Sequence, residues 1–167
     1  RKSPSSFGME AWKFLVITND ELKSKLRSAC WNQVQLTSCS HLVLILTNIN
    51  SVKPESGLPE KKFRRREMPQ ENLDFYLNLY STHLKETLST DENIHNWTSK
   101  QTYIAAGNMM TAASYIGIDS CPIEGYDKEA VEKILDLDTT QFQLSLALPF
   151  GYRVNEQSIQ QRLPFDE

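Results

Sequence analysis

NWTSKQTYIAAGNMMTAASYIGIDSCPIEGYD, residues 96–127, is the stretch on which the fold turns. Its first part extends a helix predicted over residues 93–116. Ile94, Trp97, Tyr103, Ile104, Met109, Met110, Tyr115 and Ile116 do not keep to one narrow stripe, and Ala105, Ala106, Gly107, Ala112 and Ala113 are small. A helix apolar nearly all round is a buried one, and small residues let neighbouring backbones approach closely. The pattern therefore predicts either the central helix of the domain or the centre of a subunit interface. Gly117 is its expected C-terminal stop. Beyond it, IDSCPIEG leads to Asp127, a predicted N-cap for a helix over 128–135.

Working outward, residues 141–148 (QFQLSLAL) read as a strand. So do 13–18 (KFLVIT), which are β-branched and apolar, and 41–48 (HLVLILTN), a continuous apolar run suited to a strand buried on both faces. Residues 21–31 repeat apolar side chains at helical spacing behind the capping side chains of Thr18, Asn19 and Asp20. Residues 71–88 are amphipathic, with Leu73, Leu77, Tyr80, Leu84 and Leu88 on one face. Residues 48–68 read as loop with some helix. Strands separated by helices predict mixed α/β layers. No repeat and no linker divides the chain, so residues 1–167 are read as one domain.

Composition removes several classes. With 167 residues, 40% of them hydrophobic and 23% charged, a single cored domain is expected. The longest strictly apolar run, residues 42–46, falls far short of the ~20 residues of a membrane span. A net charge of −3 speaks against a general nucleic-acid binder. Three cysteines without a CxxC pair and three histidines make neither a zinc site nor a disulfide framework, so no metal is expected. Reduced thiols suit the cytoplasm. Walker, GxGxxG, HExxH and GxSxG signatures are missing, and six glycines are too few for a phosphate-cradling loop.

Four short segments carry chemistry. Around Pro4, the hydroxyls of Ser3, Ser5 and Ser6 form a rigid turn able to offer O–H and N–H groups to an anion or heterocycle. In Trp31–Gln35, Asn32, Gln33 and Gln35 supply amides that suit the edge of a ring bearing both donors and acceptors. Pro122 and Gly125 fix a tight loop in which backbone can approach a ligand. Arg162 is a candidate phosphate clamp. Taken singly, each has a plainer reading: an N-terminal loop, a polar surface loop, a helix-entry turn and a solvated charge. The basic run at 61–66 (KKFRRR) reads as a solvated face, with attraction of an anionic dinucleotide or nucleic acid as the alternative. Met109 and Met110 read as core filling, and Cys121 as a small buried apolar residue.

In this order the segments resemble the FMN-dependent NAD(P)H nitroreductase family, most closely its oxygen-insensitive bacterial enzymes. The likeness rests on SPSSFGMEAWKFLVITN, SCSHLVLIL, residues 96–127, PFGYR and QRLPFDE, and covers nearly the whole chain. It implies an α+β fold, a central, mostly antiparallel sheet flanked by helices, in an intertwined homodimer with FMN at the interface. Pro4, Ser5 and Ser6 would line the flavin from the neighbouring subunit. Asn32 would sit at the polar edge of the ring with Gln35 beside it. Pro122, Ile123, Glu124 and Gly125 would pass over the ring, with a Glu124 or Gly125 N–H near N5, making these two the residues nearest the chemistry. Arg162 would approach the phosphate, with Gln160 where many members carry lysine; Gln35 likewise replaces a lysine of some members. The family's Arg-x-Ser-x-Lys segment would precede Arg1 by roughly one helix, so this sequence is expected to lack an N-terminal helical segment of the full family domain. The implied activity is hydride transfer from NADH or NADPH to nitroaromatics, quinones or similar small electron acceptors. The alternative is a non-catalytic flavin-binding or regulatory protein of the same fold. A nucleic-acid partner using residues 61–66 is a third reading, opposed by the net charge, and no membrane partner is expected.

Overall fold

The apolar run at 41–48 becomes the inner strand of a four-stranded sheet. The structure is a computed structural model and describes residues 2–157, 159 and 161–165. Strands β1 (Trp12–Ile17), β2 (His41–Asn48), β3 (Asp119–Ser120) and β4 (Phe142–Gly151) lie in the order β1-β2-β4-β3, each neighbour antiparallel. Side chains alternate between the faces of a strand. On one face Leu42, Leu44 and Leu46 pack with Leu26, Leu36 and Val131, from helices α1 (Asp20–Ala29), α2 (Gln35–Ser38) and α6 (Lys128–Ile134). On the other, Val43, Ile45, Leu146 and Leu148 meet Ala106 of α5 (Asp91–Tyr115). Both faces are covered, which is why β2 shows no polar alternation.

A third apolar cluster lies outside the sheet. Helices α3 (Leu58–Arg64) and α4 (Gln70–Thr87) bury Phe63, Leu73, Tyr80 and Leu84 against Ile94 of α5 and against Met9 and Ala11. Burying each large apolar side chain contributes about 1.5–3 kcal/mol, so this lobe binds the N-terminal segment to α5. Strand β4 bulges at Ser145: Ile45 pairs with Leu146 and Leu46 with Leu144. The freed Ser145 hydroxyl meets Thr102 Oγ1 of α5 at 2.7 Å, and its carbonyl accepts from Tyr126 Oη at 2.8 Å.

Three expectations are adjusted, and the helix expected within 48–68 is located. The first helix stops at Ala29, not residue 31, because Trp31 and Asn32 adopt left-handed φ of 51° and 55°. The segment 48–68 contains all of α3, with Pro59 tolerated in its first turn. The long helix is buried on one flank only within this chain. Ala105, Ala106 and Ala113 are covered, while Tyr103, Ile104, Tyr115 and Ile116 are exposed, because one sheet covers one side of a helix. The basic run is no merely solvated face, since Lys62 and Arg66 donate to the backbone carbonyls of Met9 and Phe7.

Candidate functional site

The loop at 121–127 is fastened on two sides. The Ile123 N–H donates to the Ala147 carbonyl of β4 at 2.8 Å, and Ala147 N–H returns the bond at 3.2 Å. Ile123 is 2% exposed, its side chain in the core beneath α1 and α6, so it anchors the loop and presents no free polar group. On the far side Gln33 Nε2 donates to the Gly125 carbonyl at 2.9 Å, and the Asp127 N–H to Ala29 O at 2.8 Å. The sequence-predicted segments at 31–35 and 121–127, some 90 residues apart, therefore form one unit.

Gly125 makes that contact possible. A Cβ there would lie 2.6 and 2.9 Å from Trp31 ring carbons and 3.0 Å from Gln33 Nε2. The glycine is required by the indole and not by an open approach. The left-handed turn at Trp31–Asn32 aims the indole over it, braced by Arg27 Nε donating to Asn32 O at 3.0 Å.

Between these anchors, Pro122 has no N–H. The N–H groups of Glu124 and Gly125 and the side-chain amides of Asn32 and Gln35 find no hydrogen-bond partner among the described residues. Two consecutive backbone donors and two amides, on two loops that touch through Gln33 and Gly125, are thus left free among the described residues. Gln35, at the first turn of α2, lines a cleft with Cys121, Tyr152 and Arg153. The Glu124 carboxylate lies near Tyr103 of α5; burial first, and this carboxylate second, push the Tyr103 phenol up to about 12. The same order of causes raises Tyr126, with Tyr103 ahead of Glu124 among the charges.

Pro4, Ser5 and Ser6 are held elsewhere along α5. The Ser6 N–H donates to Gln101 Oε1 at 2.9 Å, the Ser5 hydroxyl accepts from Glu10 N–H at 2.9 Å, and Asn108 Nδ2 donates to Ser3 Oγ at 3.0 Å. Gln101 and Tyr103 are two residues apart, about 200° around a helix, so the serine turn and the Glu124 loop fall on different flanks. One chain does not bring them together. Arg162 is also apart: it is exposed and, among the described residues, donates to its neighbour's carbonyl alone, Gln161 O, at 2.8 Å. Gln160 lies outside the described residues. After β4, Arg153 forks onto Asp119 at 2.7 and 2.5 Å, and the described residues beyond it are exposed, Val154 at 97% and Phe165 fully.

Sequence reasoning missed Gln101, which orients Ser6, and read Gln33 as a ring-edge amide where it instead ties the two loops; their partners lie 95 and 92 residues away, beyond any local signal.

Known proteins resemble this chain throughout. The profile described as Nitroreductase family matches residues 1–152. A Bacillus subtilis (strain 168) protein provisionally named NAD(P)H nitroreductase YfkO is 42% identical over 166 residues, 93% of this chain and 75% of its own length. A Staphylococcus epidermidis protein provisionally named NAD(P)H nitroreductase SERP2086 is 41% identical over 166 residues, 93% of this chain and 74% of its own. Among solved structures, a provisionally named NAD(P)H:FMN oxidoreductase from Staphylococcus epidermidis ATCC 12228 superposes with TM-score 0.82 at 25% identity, covering 99% of this chain and 77% of that one. A provisionally named nitroreductase from Exiguobacterium sibiricum 255-15, solved in complex with FMN, shares the fold with TM-score 0.80 at 22% identity, covering 98% and 78%.

Proposed function

The chain belongs to the nitroreductase family of oxidoreductases, and from that premise we propose that it binds FMN and passes hydride from NADH or NADPH to nitroaromatics, quinones or similar small electrophiles. The observation that carries the reading is the set of free donors at Asn32, Gln35, Glu124 and Gly125, on two loops tied by the Gln33–Gly125 hydrogen bond with the Trp31 indole lying over Gly125. The names of the relatives support the nicotinamide donor, and the 25%-identical neighbour supports FMN.

These residues fit a flavin. Its ring edge carries both donors and acceptors, which Asn32 and Gln35 amides match. Glu124 and Gly125 supply preorganised N–H dipoles that strengthen where negative charge develops and need no reorganisation. Arg162 offers a fork for the phosphate. When bound, FMN supplies the hydride chemistry, and the protein supplies orientation and electrostatics. No side-chain nucleophile is needed.

A second copy of this chain completes the site in this reading. Tyr103, Ile104 and Tyr115 on α5, Ile116 at its end, and Tyr152, Val154, Ile159, Leu163 and Phe165 beyond β4 are exposed, and Pro4–Ser6 sits on the flank away from Glu124. Obligate interfaces of this kind bury more than about 2,000 Å². Sedimentation at micromolar concentration is expected to show a dimer; a stable folded monomer contradicts it. Among the described residues no helix is long and apolar enough to cross a membrane, and three free cysteines support a cytoplasmic setting. The test of the cofactor is direct: the full chain titrated with FMN is expected to saturate, one flavin per protomer, and to turn yellow. No uptake overturns the reading.

A further inference from the structure

The segment that carries Pro4–Ser6 is strained, and two cations grip it, Lys62 of α3 and Arg66 just beyond that helix. Phe7, Gly8 and Glu10 have φ of 53°, 66° and 45°, three left-handed residues in four. Non-glycine residues hold such φ only where their surroundings over-determine it. Here the surroundings are Arg66 and Lys62. Arg66 Nη2 donates to the Phe7 carbonyl at 2.6 Å, and Lys62 Nζ donates to the Met9 carbonyl. The Arg66 guanidinium is itself placed by ring faces, 5.3 Å from the Phe63 centroid and 6.0 Å from that of Tyr76. The Phe7 ring packs edge-on against Tyr80 at 5.2 Å and Phe63 at 6.3 Å. Gly8 leaves room for the guanidinium, since a Cβ there would sit 2.8 Å from Arg66 Nη2.

We propose that Arg66 and Lys62 are positioning residues, which lock the Phe7–Glu10 turn by its carbonyls and so fix Pro4, Ser5 and Ser6 for the cofactor. This rests on the reading of Pro4–Ser6 as flavin residues. Both cations engage carbonyls and not carboxylates, so they recognise the shape of the turn. Its other side is held by Gln101 on Ser6 N–H and by Ser5 on Glu10 N–H. The turn therefore spans the helical lobe and α5, and loosening either side frees the serines. Burial of the Lys62 ammonium, which lowers its pKa, agrees with a cation enclosed by this contact.

The experiment compares the full-length parent with Arg66→Ala, Arg66→Lys, Lys62→Met and Gly8→Ala. Three quantities are read: amide exchange at Ser6, Gly8, Met9 and Glu10, FMN affinity, and turnover at saturating FMN. Loss of one charge-assisted bond is expected to weaken FMN by about tenfold in Arg66→Ala and Lys62→Met. Exchange of the four amides is expected to quicken, while α5 amides stay protected. Turnover at saturating FMN is expected to return to the parent level, which a general loss of folding would not allow. Arg66→Lys is expected to recover part of the affinity, and Gly8→Ala to imitate Arg66→Ala. A parent that binds FMN with both charge-removing variants equal to it, and exchange unchanged, overturns the coupling alone. A parent that takes up no FMN overturns the flavin reading and the coupling with it.

Discussion

Replacing Gly125 with alanine tests the geometry that joins the two site loops. The added Cβ would lie 2.6 Å from a Trp31 ring carbon, well inside van der Waals contact. Gly125 has no left-handed φ, so the backbone itself tolerates alanine. Overpacking of this kind costs about 1–3 kcal/mol. Trp31 is 74% exposed and free to swing toward water, so the cost is expected at the low end, about 1 kcal/mol. Restricting the unfolded chain returns about 0.4–1 kcal/mol. The melting temperature is thus expected to shift by no more than about 2–4 °C. FMN affinity, by contrast, is expected to fall by about five- to tenfold as the Gly125 N–H is displaced. The assay is a cycle with Trp31→Ala, reading FMN titration and urea unfolding for all four proteins. Without the indole, Gly125→Ala is expected to cost less than about 0.5 kcal/mol, a coupling of neighbours. An equal cost with and without Trp31 refutes the packing argument.

Arg162→Ala is expected to weaken FMN by about tenfold or more with no change in melting, because among the described residues its one hydrogen bond goes to a neighbouring carbonyl; parent-like affinity puts the phosphate elsewhere. Tyr80→Phe removes a fully buried hydroxyl that donates to Val52 O at 2.5 Å, so a loss of about 1–3 kcal/mol is expected in urea unfolding. Burial pushes the Cys30 thiol up to about 11 and also raises Cys39. Both then stay protonated at pH 8, so a disulfide reagent is expected to modify the half-buried Cys121 first and Cys30 only on unfolding. A folded pKa raised in this way favours folding below the unfolded thiol pKa, and that advantage fades as pH rises toward 11.

The sheet was legible because its inner strand is apolar at every position from 42 to 46, which only two covered faces explain. The helix α5 was legible too, bounded by the Thr90 cap, whose Oγ1 accepts from Asn93 N–H at 3.1 Å, and by Gly117 at φ 74°. Strand β3 was not, because two residues acquire strand character only by pairing with Phe150 and Gly151. Nor was the early end of α1, since tryptophan carries no preference for the left-handed φ that stops it. The site was legible as segments but not as an assembly. Charge composition placed Lys62 and Arg66 in water, whereas carbonyls more than 50 residues away claim them. The resemblance supplied Asn32 and Glu124; the contact between their loops follows from Gln33, whose amide looks like any polar surface residue.

Anaerobic reduction of the FMN-loaded full chain tests the central claim most directly. The account predicts that NADH or NADPH bleaches the bound flavin's yellow absorbance and that a nitroaromatic or quinone restores it, through many cycles. Flavin that stays bound and yellow in the presence of both nicotinamides contradicts the account.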